Sequence, residues 1–371
     1  MAEQIRGVKH IEKVRGKDVE GKVRVLERTY PHQLTLFQTF IPEDDPDDKY
    51  SNTIELYDAI PKYFSNARAM DAMRKDGIYL PTLERVFQHR HETYTVQIRP
   101  ARVRGRTGAE KEYYPSPREE LVEEALRKLA CDKMNGVYLD NLAGVQFTLY
   151  EVKQELKSRG HDIDLPRLIE ALKICNGVNM TVSHSDGKVV LQSSIFPVLL
   201  LGSKKDWLEH PKETRCYIQF HPFITQCIGQ LTYRQFDYGS YMSYTYRLSR
   251  WLHKRLAHNY TQAGMLQPYT IRMSTILRDS GTHQSARPAN NVRTVNEALE
   301  ELRTRHILLS ITREVIRGAR NSLSDVKYTL LPTIEFIDEA KKANICAQQL
   351  LKQRGSLLPE KSTSEATASP V

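Results

Sequence analysis

An α+β fold built on two copies of one small unit is what three features of this chain predict. First, "FTLYEVKQELKSRG" (147 to 160) and "YTIRMSTILRDSG" (269 to 281) rhyme. Each opens aromatic-Thr-aliphatic, runs through a short helix-like pattern and stops at a basic-Ser-Gly cluster. Second, each is followed by a helical pattern with the same core triplet, Glu170-Ala171-Leu172 and Glu297-Ala298-Leu299. Third, each of those helices leads into two β-like segments joined by a glycine-containing turn, the signature of a hairpin.

Taken in order, residues 1 to 50 are polar apart from one apolar island, "LTLFQTFI", and end in the acidic "PEDDPDDK". They are expected to form an extended, partly disordered arm. From 51 to 210 the chain predicts the first unit, preceded by a β-hairpin extension. "TYTVQIRPARVRG" (93 to 105) alternates like a strand and turns at an Arg-rich loop, and "GAEKEYYPSP" returns. A helix starts at Ser116 and Pro117, with Leu121, Ala125, Leu126 and Leu129 as its apolar stripe. "NGVYLDNLAGVQ" reads as irregular. The repeat helix follows, then "LPRLIEALKICNGV" (165 to 178) with Leu165, Leu168, Ile169 and Leu172 inward. "NMTVSHS" and "KVVLQSSIF" form a hairpin across Asp186-Gly187.

The second unit, 211 to 338, repeats that order. "YMSYTYRLSRWLHKRLAHNY" (241 to 260) predicts one long helix, with Tyr244, Leu248, Trp251, Leu252 and Leu256 on one side and His253, Lys254 and Arg255 on the wet side. After the repeat helix and a polar turn comes "NVRTVNEALEELRTR" (291 to 305). There Val292, Val295, Leu299 and Leu302 face inward. "HILLSITREVIRG" and "SDVKYTLLPTI" make the closing hairpin. Residues 339 to 371 predict a helix end and a Ser/Thr-rich, disordered tail. Helix, short strand, helix, helix, hairpin is the order of the winged-helix variant of the helix-turn-helix, so the chain predicts two winged-helix domains in tandem.

Composition narrows the function classes. The chain has 371 residues, 40% of them hydrophobic, enough for two or three domains with real cores. A mean hydropathy of -0.53 predicts a soluble protein. No apolar run reaches the roughly 18 residues of a membrane span. The first thirty residues are charged throughout, against a secretory signal. The five cysteines (Cys131, Cys175, Cys216, Cys227, Cys346) are scattered and never form C-x-x-C. A reducing cytoplasm is expected, with neither a zinc site nor a disulfide framework. The net charge is +9, with arginine the larger part of the basic residues, which suits phosphates and guanine edges.

At 217 to 256 the chain reads "YIQFHPFITQCIGQLTYRQFDYGSYMSYTYRLSRWLHKRL". This stretch and the helix-turn-helix after it resemble the theta-type plasmid replication initiators of proteobacteria. The resemblance spans roughly 115 to 335 and is strongest in "FHP", "YRQ" and "LSRWLHKRL". It implies two winged-helix domains that bind repeated origin sequences (iterons) on double-stranded DNA in a bacterial cytoplasm. It also implies origin opening with a host initiator and helicase, and a monomer-dimer switch. Such initiators also repress their own genes, so a transcriptional regulator of the same architecture stays open as an alternative.

The candidate DNA-binding residues lie in four places. On the second unit's last helix, Arg287, Asn290, Asn291, Arg293, Thr294, Asn296, Glu297 and Arg303 are expected to face outward. In that set Arg suits guanine, Asn adenine and Glu the cytosine amino group. Glu300 and Glu301 are expected to point away. The hairpin tip "RGARNSLSD" carries Arg317, Arg320 and Asn321, with Arg313 on the strand before it. In the first unit Arg167, Lys173 and Lys188 are the candidates, beside Asp162 and Asp164, which repel phosphate. Arg102, Arg104 and Arg106 crowd the loop at 101 to 108.

Catalysis is not expected. The chain has no G-x-x-x-x-G-K-[ST] phosphate loop. "QHRHETY" offers His89, His91 and Tyr94 for a metal-dependent nicking initiator, but Arg90 stands where such enzymes carry a hydrophobic residue. His221 and His253 lack acidic partners at ligand spacing. No metal or cofactor is expected.

Overall fold

The computed structural model describes residues 50–64, 67–104, 108–131, 135–139, 142–210, 212–230 and 232–357. The arm up to residue 49, Arg106 and the tail from residue 358 lie outside the described residues, as do the expectations made for them.

The fold is α+β. The chain enters through β1 (Tyr50–Ile54), α1 (Glu55–Ala59) and α2 (Ala67–Ala72). Two hairpins follow, β2 (Leu83–His89) with β3 (Glu92–Arg99), and β4 (Ala101–Arg104) with β5 (Glu110–Tyr113). The first repeat runs α3 (Pro117–Cys131), β6 (Gly136–Leu139), β7 (Leu142–Thr148), α4 (Leu149–Ser158), α5 (Leu165–Gly177), β8 (Asn179–His184) and β9 (Val189–Ser193). A connecting stretch holds β10 (Leu199–Leu200), α6 (Lys204–Glu209), β11 (Arg215–Gln219), α7 (Pro222–Gln230), β12 (Tyr233–Asp237) and α8 (Tyr238–Ser243). The second repeat runs α9 (Arg247–Asn259), β13 (Tyr269–Arg272), α10 (Met273–Ser280), α11 (Pro288–Thr304), β14 (Leu308–Arg317) and β15 (Leu323–Pro332), and α12 (Ile334–Leu357) closes the described chain. The sheets are ordered β2-β3-β8-β9, β10-β11-β7-β6 and β13-β15-β14, with two-stranded pairs β1-β12 and β4-β5.

Local chemistry explains the rhyme. Thr148 and Glu151 exchange side-chain and backbone hydrogen bonds at 3.1 and 2.6 Å, a capping box that starts α4. In the second copy no side chain of its own caps α10. Instead Asp325 of β15 accepts from the Ser274 amide at 3.1 Å and its hydroxyl at 2.6 Å. Both helices end on left-handed glycines, Gly160 (φ +86) and Gly281 (φ +65). A Cβ on Gly281 would also lie 2.8 Å from the Pro61 side chain. The triplet alanines, Ala171 and Ala298, are fully buried, and Ser249 of α9 donates to the Ala298 carbonyl at 3.1 Å.

Three expectations are corrected. "NGVYLDNLAGVQ" is not irregular but holds the β6–β7 hairpin, and β7 also pairs with β11. Its alternation is hidden because Ala143, Val145 and Phe147 are buried along with Gly144, which lies against the Tyr217 ring. The long helix at 241 to 260 breaks at 244 to 246. Glu301 of α11, expected to point away from phosphates, accepts from the Thr245 and Tyr246 amides at 2.6 and 3.1 Å and so starts α9 afresh. The supposed wet side of α9 is dry: His253 and Lys254 are buried, as are Arg247 and Arg250.

Arg250 and Lys254 pair with α3, whose own charged face (Glu119, Glu120, Glu123, Glu124, Arg127, Lys128) is also buried, while Arg247 donates to the Ser280 carbonyl at 2.8 Å and His253 meets Tyr244. Acidic positions four apart on α3, Glu120 and Glu124, meet basic positions four apart on α9, Arg250 and Lys254. Arg250 binds Glu120 at 2.9 Å, and Lys254 reaches Glu124 at 2.5 Å and Asp58 at 3.3 Å. Arg127 joins Asp58 at 2.7 Å, Glu124 at 3.0 Å and the Asn52 carbonyl at 2.9 Å. Burial by itself would raise the Asp58 carboxyl, but Arg127 and Lys254 outweigh it and hold it well below the usual range. Other ties join the halves, the β7–β11 pairing among them. β1 pairs along its length with β12, and Asp279 of α10 accepts from the Gln88 amide of β2 at 3.1 Å.

Removing one member of such a cluster strands its partner's charge out of water. Arg250→Met is expected to cost about 3 to 5 kcal/mol in urea denaturation, and adding Glu120→Leu to recover most of it. A double variant no more stable than Arg250→Met would show that the pair is not the source of the loss.

Candidate nucleic-acid interface

The second unit carries six of the twelve predicted basic residues, Arg287, Arg293, Arg303, Arg313, Arg317 and Arg320. α11 packs Val295, Ala298, Leu299 and Leu302 into the core. Its outward side carries Arg287 at the N-cap and then Arg293, Thr294 and Glu297. Arg293 has a side chain 71% exposed, with Glu297 only loosely placed at 3.9 Å. α11 carries Arg287 at its N-cap and no side-chain cap, so the positive end of the helix is left without a carboxylate.

Three asparagines depart from the expected outward set. Asn291 turns back, accepting from the Ser285 amide at 2.8 Å and donating to the Ser285 carbonyl at 3.0 Å. Asn290 donates to the Ser285 hydroxyl at 3.2 Å. Asn296 accepts from the Tyr328 hydroxyl of β15 at 2.9 Å. Burial pushes the Tyr328 phenol up to about 12, so it keeps the proton it donates. Arg303 lies at the far end of α11 in an ion pair with Glu300.

The hairpin supplies the second element. Register places Ile311, Arg313 and Val315 of the edge strand β14 opposite Leu330, Tyr328 and Val326 of β15. Those β15 residues are buried, and Tyr328 reaches α11 from this face. Arg313 and Val315 therefore share the sheet face that carries α11, and Arg317 follows a register shift at the hairpin tip. All three are exposed. At the tip Arg320 and Asn321 take left-handed backbone (φ 55 and 59), and Arg317 donates to the Asn321 carbonyl at 3.2 Å. Sequence reading missed Arg272 and Lys327, which form a row with Glu314 on the opposite face.

The first unit presents less free charge. Asp164 caps α5, accepting from the Arg167 amide at 2.8 Å, and holds the Arg167 guanidinium at 3.8 Å. That carboxylate occupies the position where α11 has Arg287. Lys173 and Lys188 are exposed. Arg102 and Arg104 both reach Glu110, at 2.9 and 3.6 Å.

The chain is similar to crystal structures of RctB domains 2 and 3. In the selenomethionine form the TM-score is 0.45 at 8% identity, over 75% of this chain and 96% of that one. In a second structure it is 0.43 at 10% identity, over 77% and 99%. It is also similar to the Pi initiator protein in complex with iteron DNA, with a TM-score of 0.39 at 11% identity over 59% and 92%. A scan against protein-family models gives no match, and neither does a search of curated proteins.

Among the described residues no helix is long and apolar enough to cross a membrane, and no group of three or more His, Cys, Asp or Glu could hold a metal ion. His89 closes β2, Arg90 and His91 form the turn with left-handed backbone, and Tyr94 stacks on Phe87 at 5.5 Å. Arg90 pairs with Glu55. His221 and His253 are buried, and His258 is half-buried. His253 shares a hydrogen bond with the Tyr244 hydroxyl at 3.1 Å. His221 sits between Tyr57 and Phe223, at ring distances of 4.9 and 5.2 Å, and burial lowers it to about 3. His258 bonds the Thr53 hydroxyl at 3.0 Å, and burial lowers it to about 4.

Below the ordinary histidine value of 6.5 the unfolded chain binds protons at His221 and His258 that the folded chain refuses. Stability is therefore expected to fall as pH drops from 6.5 towards 4, by about 1.4 kcal/mol per pH unit for each ring. The Asp58 contribution adds to the loss only below the carboxylate range. Urea midpoints between pH 7 and 4 check this. His221→Gln should flatten the dependence, and an unchanged slope would remove His221 as a cause.

Proposed function

We propose that the chain is a sequence-specific reader of double-stranded DNA that acts as a replication initiator, binding repeated origin sequences and promoting their opening. In this reading its two repeats are winged-helix units. The second unit reads bases and the first positions the protein or joins it to another copy. The observation that carries the proposal is the shared face of α11 and β14, which joins Arg293 and the uncapped helix start to Arg313, with Arg317 at the hairpin tip. An α-helix of this size enters the major groove, and an arginine-bearing hairpin beside it meets the backbone or the minor groove. The carboxylate cap of α5 supports the division of labour, because Asp164 at the leading end of a helix opposes a phosphate.

Initiation, as distinct from DNA reading alone, rests on the resemblance of residues 217 to 256. A host initiator and helicase would be its further partners, and the chain would have no catalytic activity of its own. Selection of bound duplexes from a random pool tests this: tandem direct repeats favour initiation, whereas a single inverted repeat at a promoter favours a transcriptional regulator. Nicking of supercoiled DNA with magnesium or manganese, lost on Tyr94→Phe, would instead make the chain an enzyme.

On the selected site Arg293→Ala is expected to cost about 1 to 3 kcal/mol and to relax one base position. Arg167→Ala and Lys188→Ala should weaken cognate and scrambled duplexes alike. Affinity should fall with salt at a log-log slope of about -0.9 per phosphate, with roughly 6 to 10 contacts. A flat salt response would sink DNA as the main partner.

A further inference from the structure

The turn between α10 and α11 is pinned at both ends. At its start the Thr282 amide donates to the Ser280 hydroxyl at 3.2 Å, and the Ser280 and Thr282 hydroxyls share a hydrogen bond of 2.7 Å. At its end Ser285 is held by three residues of the α11 start. Asn291 clamps its peptide N–H and C=O together, and its hydroxyl accepts from the Arg287 amide and the Asn290 side chain, both at 3.2 Å. Between the pins only His283 and Gln284 remain, and both are exposed. The turn is therefore a fixed platform against the first turn of α11.

We propose that Gln284 is a base-reading residue, specific for adenine, and that Asn291 is the positioning residue that holds it in place. This rests on the reading of α11 as the helix that enters the major groove. A groove that receives the start of α11 also receives the turn clamped against it. The primary amide of Gln284 can donate to adenine N7 and accept from its N6 amino group at once, a bidentate match that distinguishes A·T from the other pairs. His283 cannot make that two-point contact with one base. Asn291, an adenine reader by residue type alone, has both its oxygen and its nitrogen turned to Ser285.

The test is a base-by-base preference profile of the full chain on its selected duplex, for Gln284→Ala, Asn291→Ala and Arg293→Ala. Gln284→Ala should lower the preference for an A·T pair at one position by about tenfold or more, leaving the position read by Arg293 sharp. Asn291→Ala should blur that same A·T position, which a merely structural role would not do selectively. Relaxation at the Arg293 position together with an unaltered profile in Gln284→Ala overturns the proposal and leaves the reading of α11 standing. A sharp A·T position in Asn291→Ala overturns the clamp. If none of the three variants changes the profile, α11 is not the reading helix and both ideas fall.

Discussion

Charge removed from water joins the two halves of this molecule, alongside strand pairing and a shared apolar core. α3 and α9 bury between them Glu120, Glu124, Arg127, Arg250 and Lys254, with Asp58 as the shared acid. Each of these groups is costly to bury alone and tolerable only when the others are in register. Such a cluster specifies geometry more sharply than apolar packing, because a shift of one helical turn would leave several charges unpaired at once. The β1–β12 pairing and the contact of β2 with α10 follow the same docking.

That docking sets what the second unit can present. α9 begins where Glu301 of α11 captures its first amides, and α10 begins where Asp325 of β15 captures Ser274. Tyr328 ties β15 to α11 through Asn296. The helix, the turn and the hairpin of the proposed reading face are therefore fixed to one another by single polar contacts between elements. The exposed residues, Arg287, Arg293, Arg313 and Arg317, are free of that duty. Polar side chains in this unit divide into those that build the face and those that stand on it.

Much of this was legible in the sequence. The repeat, the order of elements, both hairpin turns and the inward positions of α5 and α11 follow from periodicity and glycine placement, signals that are local. The division among polar residues was not legible. Asn291 and Asn296 look like base readers until their partners, Ser285 and Tyr328, are seen in space. Lys254 and His253 look solvated because helical periodicity counts only apolar residues, and α9 meets its charged partner from more than a hundred residues away. The β6–β7 hairpin was missed because both of its faces are covered, which erases the alternation that marks a strand. The asparagine and α9 failures share a cause: pattern reading assumes that polar groups face water.

Scanning calorimetry of the full chain tests the account most directly, because a protein of this size with two separable units ordinarily unfolds in stages. If the buried cluster joins the units into one body, the described fold should unfold in a single transition whose calorimetric and van't Hoff enthalpies agree. Two resolved transitions, each with about half the total enthalpy, would show that the α3–α9 cluster does not couple them.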